Sequence, residues 1–295
     1  MRIFITGGTG FIGSAVVDEL VRTGHEVVGL ARSEKSAKAL ENLGARAFMG
    51  SLEDTDSIKC GADSADAVMH LAFVHDFSDF TASVETDRKV IEAIGETLSG
   101  TSKAFVVTSG VPMRKNGELV TEQTPSNTKD FPRMSETAAL PFVENGVRVL
   151  VIRPSRFVHG EGDAHGFTVS LINTARQTGE SAYIGDGKNQ VQAVHRLDVA
   201  SLFHLALEKG TAGGIYQAVG DGAIPFREVA ETIAHMLNVP AVSISPAEAT
   251  AHFGFLGQIV GTDNPASSEA TQKTLGWKPT HPTLLEDLAS GFYFA

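Results

Sequence analysis

The chain has little of what marks several function classes. One cysteine, Cys60, stands among 295 residues, so no intrachain disulfide and no cysteine-rich metal site can form, and a reducing compartment fits. No block of Lys and Arg offsets a formal net charge of -11, which argues against a nucleic-acid partner because phosphate repulsion would go unanswered. No run approaches the roughly 18 apolar residues of a membrane span. The N-terminus lacks a basic segment followed by an uninterrupted apolar stretch, so no signal peptide is expected. Repeats and low-complexity tracts are missing too, and the length suffices for one large domain or two coupled ones to bury a full core. These absences predict a soluble, cytoplasmic protein.

What is present begins at the first residue. An apolar run ends at Thr6, glycines follow at Gly7, Gly10 and Gly13, and the stripe Phe11, Ile12, Ala15, Val16, Leu20 comes next. Strand, glycine turn and amphipathic helix in that order suit a dinucleotide pyrophosphate: a residue without a side chain lets the backbone approach the phosphates, and the helix aims free N–H groups at them.

Short β-rich runs then alternate with helical patterns. Arg2–Thr6, Glu26–Leu30, Arg46–Met49, Ala67–His70, Ala104–Val107 and Val147–Ile152 read as strands, and Gly10–Arg22, Ser33–Leu43, Phe80–Leu98 and Met134–Glu144 as helices. Near-continuous apolar strands separated by helices predict an α/β fold, a doubly wound parallel sheet of Rossmann type. Residues 1–159 with about 192–220, including a helix at Leu197–Glu208 and a strand at Ile215–Val219, form the expected dinucleotide domain. Residues of about 160–191 and 221–295, with a helix at Phe226–Leu237, form a smaller C-terminal lobe expected to cover the cofactor and build the substrate pocket.

Ligands bind such sheets at the carboxyl ends of the strands. After strand two there is no acid to accept a ribose 2′-hydroxyl; instead Arg32, Ser33 and Lys35 offer donors suited to a 2′-phosphate, so NADP (NADPH) is expected over NAD, with Glu34 as the contrary residue. The alternative is that Arg32 and Lys35 only solvate the next helix. Ser51 and Leu52, Leu71, Ala72 and Phe73, Thr108 and Ser109, and Pro154 and Arg156 follow later strands and complete the expected groove. No metal site is expected: His159 and His165 with Glu161 and Asp163 have ligand types in a row, yet their spacing fits no helical pair.

Taken together, Thr6 to Gly13, His70 to Ala72, Thr108-Ser109, Arg153-Pro154 with Val158 to Asp163, and Val194 to Asp198 resemble the short-chain dehydrogenase/reductase superfamily, closest to its extended epimerase/dehydratase group. The resemblance implies hydride transfer in which a Ser polarises the substrate carbonyl, a Tyr supplies the proton, and a Lys four residues on lowers that Tyr's pKa. Ser109 occupies the Ser position. Where the Tyr and Lys belong, however, alignment on Ser135 places Pro132 and Glu136, and no Tyr precedes Tyr183. The chain resembles an atypical member that keeps the cofactor site and has lost the usual proton donor.

General acid help contributes roughly 10²–10⁴-fold, so activity can survive its loss. Ser109 is the first candidate to polarise the carbonyl. Arg133, His75 and Tyr183 are candidates for oxyanion stabilisation or proton delivery, whereas His159 and His195 fall in segments that are structural in relatives. Phe73, Phe157, Phe167 and Tyr183 would line an apolar pocket. The expected function is an NADPH-dependent reductase of a small, mostly hydrophobic ketone or aldehyde; the rivals are a nucleotide-sugar epimerase or dehydratase and a non-catalytic NADP sensor. A homodimer could pair Phe80–Leu98 and Met134–Glu144 across two copies, although both stripes could equally be core.

Overall fold

A computed structural model describes residues 1–74, 79–114, 117–126 and 133–295. The first part alternates as expected: β1 (Arg2–Thr6), α1 (Phe11–Arg22), β2 (Glu26–Ala31), α2 (Glu34–Asn42), β3 (Arg46–Met49), α3 (Thr55–Asp63), β4 (Ala67–His70), α4 (Phe80–Leu98), β5 (Ala104–Thr108), α5 (Ser135–Ala139) and β6 (Arg148–Pro154). There follow β7 (Phe157–His159), α6 (Phe167–Thr178), β8 (Ser181–Ile184), β9 (Gln190–His195), α7 (Arg196–Lys209) and β10 (Gly214–Ala218). The chain ends with β11 (Asp221–Pro225), α8 (Phe226–Leu237), β12 (Ala241–Ile244), α9 (Ala249–Phe253), α10 (Gly257–Val260), α11 (Glu269–Leu275) and α12 (Leu284–Ser290).

Seven strands form one parallel sheet in the order β3-β2-β1-β4-β5-β6-β10. The order reverses between β1 and β4, and a sheet of this kind opens a crevice beyond the strand ends at that point. There Thr6 stands in register with His70. Helices cover both faces because the strands are apolar on both: Ile3, Ile5 and Leu150 face one core with α1 and α7, while Phe4, Phe105 and Val151 face the other with α3 and α4.

Three features depart from the sequence reading. The helix α3 was not expected; its signal is Asp54, whose carboxylate accepts the Ser57 N–H at 3.2 Å as an N-cap. The helix expected over Met134–Glu144 is α5 alone, five residues, followed by a 3₁₀ turn at Leu140–Val143, where Pro141 removes a donor. The lobe boundary is also crossed in both directions. Phe157 packs into the second lobe's core, with the β11-β9-β7 sheet, and Leu275 and Trp277 return to the first.

The apolar stripe of α4 is used inside the chain, where Gly95 leaves room for the Phe142 ring; Glu85, Arg88 and Glu92 on the same helix form ion pairs with one another. No helix among the described residues is long and apolar enough to cross a membrane.

Candidate active site at the sheet switch point

The turn after β1 is built from missing side chains. Gly7 sits at φ +74°, and a Cβ there would lie 2.6 Å from Ala72 N. A Cβ on Gly13 would lie 2.0 Å from Gly7 O. The backbone can therefore fold back on itself, with Gly10 N–H donating to Gly7 O at 3.0 Å. Gly10 caps α1 without a side chain, and the first turn of that helix carries no acid. Its N–H groups and positive dipole end are thus left for an anion. Arg196, at the start of α7, holds this turn: its guanidinium stacks on Phe11 at 4.8 Å, donates to Ser14 Oγ at 2.9 Å and reaches Glu161 O at 2.8 Å. Sequence reasoning missed Arg196, which adjoins Phe11 and Ser14 only through the fold.

Beyond β2, Arg32, Ser33 and Lys35 are all exposed. Ser33 caps α2 in a reciprocal pair with Ser36. Arg32 faces an acid that the sequence reading did not consider, Glu53. A hydrogen bond from Ser51 and its own backbone N–H hold the Glu53 carboxyl below the usual range, and the charge of Arg32 adds to this.

A buried chain of polar groups crosses the switch point. Thr6 Oγ1 lies 2.7 Å from His70 Nδ1 and accepts the Ala72 N–H at 3.3 Å. His70 Nε2 meets Asp87 Oδ1 at 3.1 Å, and Ser135 Oγ donates to Asp87 Oδ2 at 2.6 Å. Arg133 Nε in turn donates to Ser135 Oγ at 2.9 Å, and its Nη2 donates to Thr108 O, also at 2.9 Å. Burial works to raise the Asp87 carboxyl, but the bond and charge of His70, with Arg133 and Ser135, outweigh it and keep the group below its ordinary value. Because Asp87 is then an acceptor, His70 donates to it from Nε2, and Thr6 Oγ1 meets the ring from its Nδ1 side. Thr6 therefore braces the turn from below.

Arg133 also lies over the Phe73 ring at 4.4 Å. Burial lowers its guanidinium, opposed by Asp87, yet an arginine stays charged at neutral pH. It can stabilise an oxyanion and cannot act as a general acid.

These elements border a cavity of about 890 Å³. Of the residues singled out in the sequence, it gathers Ile12, Leu71, Phe73, Thr108, Ser109, Arg133, Pro154 and Arg156. Phe80, Phe167 and Phe255 add aromatic wall, and Gln258 and Thr262 close it from α10 and beyond. Thr108 Oγ1 is buried with no hydrogen-bond partner among the described residues.

Two expected lining residues are elsewhere. Tyr183 packs in the second lobe's core under the Arg227 guanidinium, 5.2 Å from its ring, and Phe157 is buried against Phe167. Both belong to short strands whose inner face is core, which spacing alone did not reveal. His75 lies outside the described residues.

The position that the resemblance gives to a lysine is also accounted for. Glu136 is buried and receives Arg153 through two bonds, Nε at 2.8 Å and Nη2 at 2.7 Å. Arg153 Nη1 donates to Thr124 O at 2.9 Å. This bidentate pair ties β6 to the start of α5 and presents no free amine to the cleft. His159 and His195 form part of a packed group: His159 Nδ1 is 2.6 Å from Asp287 Oδ2, and the His195 ring stacks on His281 at 4.8 Å. Among the described residues, ligand-type atoms do converge in one group away from the cleft, where those of His25, His204 and Glu208 lie within 4.8 Å of one another.

A glycine turn at the switch point of a parallel sheet, beside a cavity with a Ser and an Arg at the strand ends, defines a nicotinamide-dinucleotide enzyme of the short-chain dehydrogenase/reductase type. The model of the NAD dependent epimerase/dehydratase family matches residues 3–219, and the chain belongs to that family. An uncharacterised protein of Schizosaccharomyces pombe is 50% identical over the whole of both chains. A 4-hydroxy-2-methyl-3-oxo-4-farnesyl-3,4-dihydroquinoline-1-oxide ketoreductase of Stigmatella aurantiaca is 28% identical over 86% of this chain and 80% of its own. Among solved structures, a dTDP-glucose 4,6-dehydratase of Streptomyces venezuelae with NAD bound superimposes with a TM-score of 0.78 at 20% identity, covering 99% of this chain and 96% of its own. The chain is thus an NAD(P)-dependent oxidoreductase or epimerase.

Proposed function

We propose that the chain is an NADPH-dependent reductase of a small, mostly apolar ketone or aldehyde. The observation that carries this reading is the cavity: aromatic and aliphatic walls with Thr108, Ser109 and Arg133 as their polar members. Such a volume suits a drug-sized ligand. The likeness to a ketoreductase supports the direction of the reaction.

The residues present fit the dinucleotide. Gly7, Gly10 and Gly13 leave a cradle that Cβ atoms would fill, and the orphan hydroxyl of Thr108 is a donor awaiting an acceptor. The first turn of α1 would hold the pyrophosphate, and Arg32 with Lys35 a 2′-phosphate. When bound, the reduced nicotinamide supplies a hydride. Ser109, 7% exposed and on the cavity wall, donates to the carbonyl oxygen and polarises it. Arg133, fixed by Thr108 O and Ser135, faces the negative charge that develops there, an arrangement whose removal typically costs about 10²–10³-fold in rate. Phe73 and Phe80 exclude water from the same space. With no tyrosine before Tyr183 in the sequence, Ser109 hands on the proton, refilled from solvent at the mouth of the cavity.

The test is direct. Purified protein is mixed with NADPH and aryl ketones, oxo esters and aldehydes, and the near-ultraviolet absorbance of the reduced nicotinamide is followed; loss of that absorbance with at least one carbonyl class supports the reading. Silence across the panel sinks it. Tightly retained cofactor with a sugar nucleotide turned over and no net oxidation would establish an epimerase, and NADPH affinity without any turnover a sensor.

A further inference from the structure

The cavity holds a second cation, and no acid among the described residues balances it. Arg133 has Asp87 within reach through Ser135. Arg156, just past the end of β6, places its backbone N–H 3.4 Å from Gln192 Oε1, but its guanidinium has no hydrogen bond or ion pair among the described residues. No carboxylate lines the cavity among those residues.

A buried charge is costly unless it is paired, and arginine cannot escape the cost by losing its proton at neutral pH. Burial alone drags the Arg156 guanidinium down to about 10. Half-buried Arg156 shares the cavity wall with Val158 and Phe167, and its guanidinium donors have no acceptor among the described residues.

We propose that Arg156 anchors a carboxylate on the substrate, so that the compound reduced is an oxo acid with an apolar body. The proposal rests on the reductase reading for the reaction but not for the binding. A guanidinium presents two parallel N–H groups that match a carboxylate. One uncompensated charge calls for one negative charge; a sugar diphosphate would bring two or more into the same apolar space. In the reaction, the carbonyl carbon accepts a hydride from the reduced nicotinamide and the π electron pair moves to oxygen. That oxygen takes a proton from solvent through Ser109, giving a hydroxy acid and the oxidised nicotinamide. The carboxylate is unchanged and only holds the carbon in place.

Calorimetry on the full chain with NADPH present, titrating 4-phenylbutanoate against 4-phenylbutanamide, tests the subsite without turnover. The acid should bind at least tenfold more tightly than the amide. Arg156→Met should bring the two within about twofold, and Arg156→Gln, which keeps a polar chain of similar length, should do the same. Neither variant should melt below the parent, because each removes an unpaired charge. Equal binding of acid and amide by the parent, binding of neither, or an acid preference that survives in whichever neutral variant folds would each overturn the proposal. A second measurement compares kcat/KM for 2-oxo-4-phenylbutanoate and its ethyl ester. The acid should lead by at least tenfold in the parent and lose that lead in Arg156→Met; an equal ratio in both proteins counts against the anchor. If no compound oxidises NADPH while the acid still outbinds the amide only when Arg156 is present, the reductase reading fails and the carboxylate subsite stands.

Discussion

The turn after β1 and the segment entering α5 both face the switch point, yet they are built on opposite principles. In the first, function comes from atoms that are not there: Gly7 and Gly13 leave the room that lets the backbone meet a phosphate. In the second, it comes from side chains that converge from four elements, with Thr6, His70, Asp87, Ser135 and Arg133 linked in one buried chain. The first arrangement tolerates almost no added atom. The second tolerates exchange of its members provided that every donor and acceptor stays matched, which is how a family member can lack a tyrosine here and still hold a cation against the cleft.

The contrast can be broken most sharply at Gly13. Gly13→Ala should reduce NADPH affinity by more than 10²-fold by calorimetry, because its Cβ would lie 2.0 Å from Gly7 O and the turn must open; unchanged binding would mean that the turn is not the cofactor's cradle. On the other side, Asp87→Ala should lower stability by about 3–5 kcal/mol in denaturant unfolding, since it leaves His70 and Arg133 without their buried carboxylate. Arg133→Met should lower kcat about 10²-fold with NADPH affinity nearly unchanged. A fall in KM-linked binding alone would make Arg133 a wall and not an oxyanion donor.

A titration separates the lobes. Burial lowers His195 to about 4, with His159 and His281 pushing the same way and Asp287 and Asp198 opposing. A folded-state value below the unfolded one means that stability is complete above the unfolded pKa, near 6.5, and is lost as the pH falls toward 4. His195→Gln should flatten the fall in melting temperature over that range. The smallest effect is expected at the edge: Arg32→Ala should shift the NADPH-to-NADH preference by about tenfold at most, an exposed contact being weakened by solvent and by Glu53. No shift would assign Arg32 to Glu53 alone.

The same contrast explains what the sequence made legible. Glycine spacing, apolar strands and strand-end residues are local signals, and they led to the sheet, the turn and the strand-end wall of the cavity, Ser109, Arg133 and Arg156 included, but not to the wall that Pro246 to Thr262 supply. The polar chain was not legible, because His70 and Asp87 are 17 positions apart and Asp87 and Ser135 are 48 apart, and nothing in either neighbourhood marks the other. Tyr183 was misplaced because a strand's alternation does not say which face is core until its partner β12 is known.

Trp277 gives the arrangement a consequence of its own. The only tryptophan in the chain, it lies 1% exposed among the residues of α1 and α7, and its indole N–H donates to Asp198 O and Ser201 Oγ, both at 3.0 Å. The C-terminal stretch is therefore stitched into the first core after the chain has already made its second lobe, and a single fluorophore sits at that seam, where its emission would follow the opening of the α1 and α7 core.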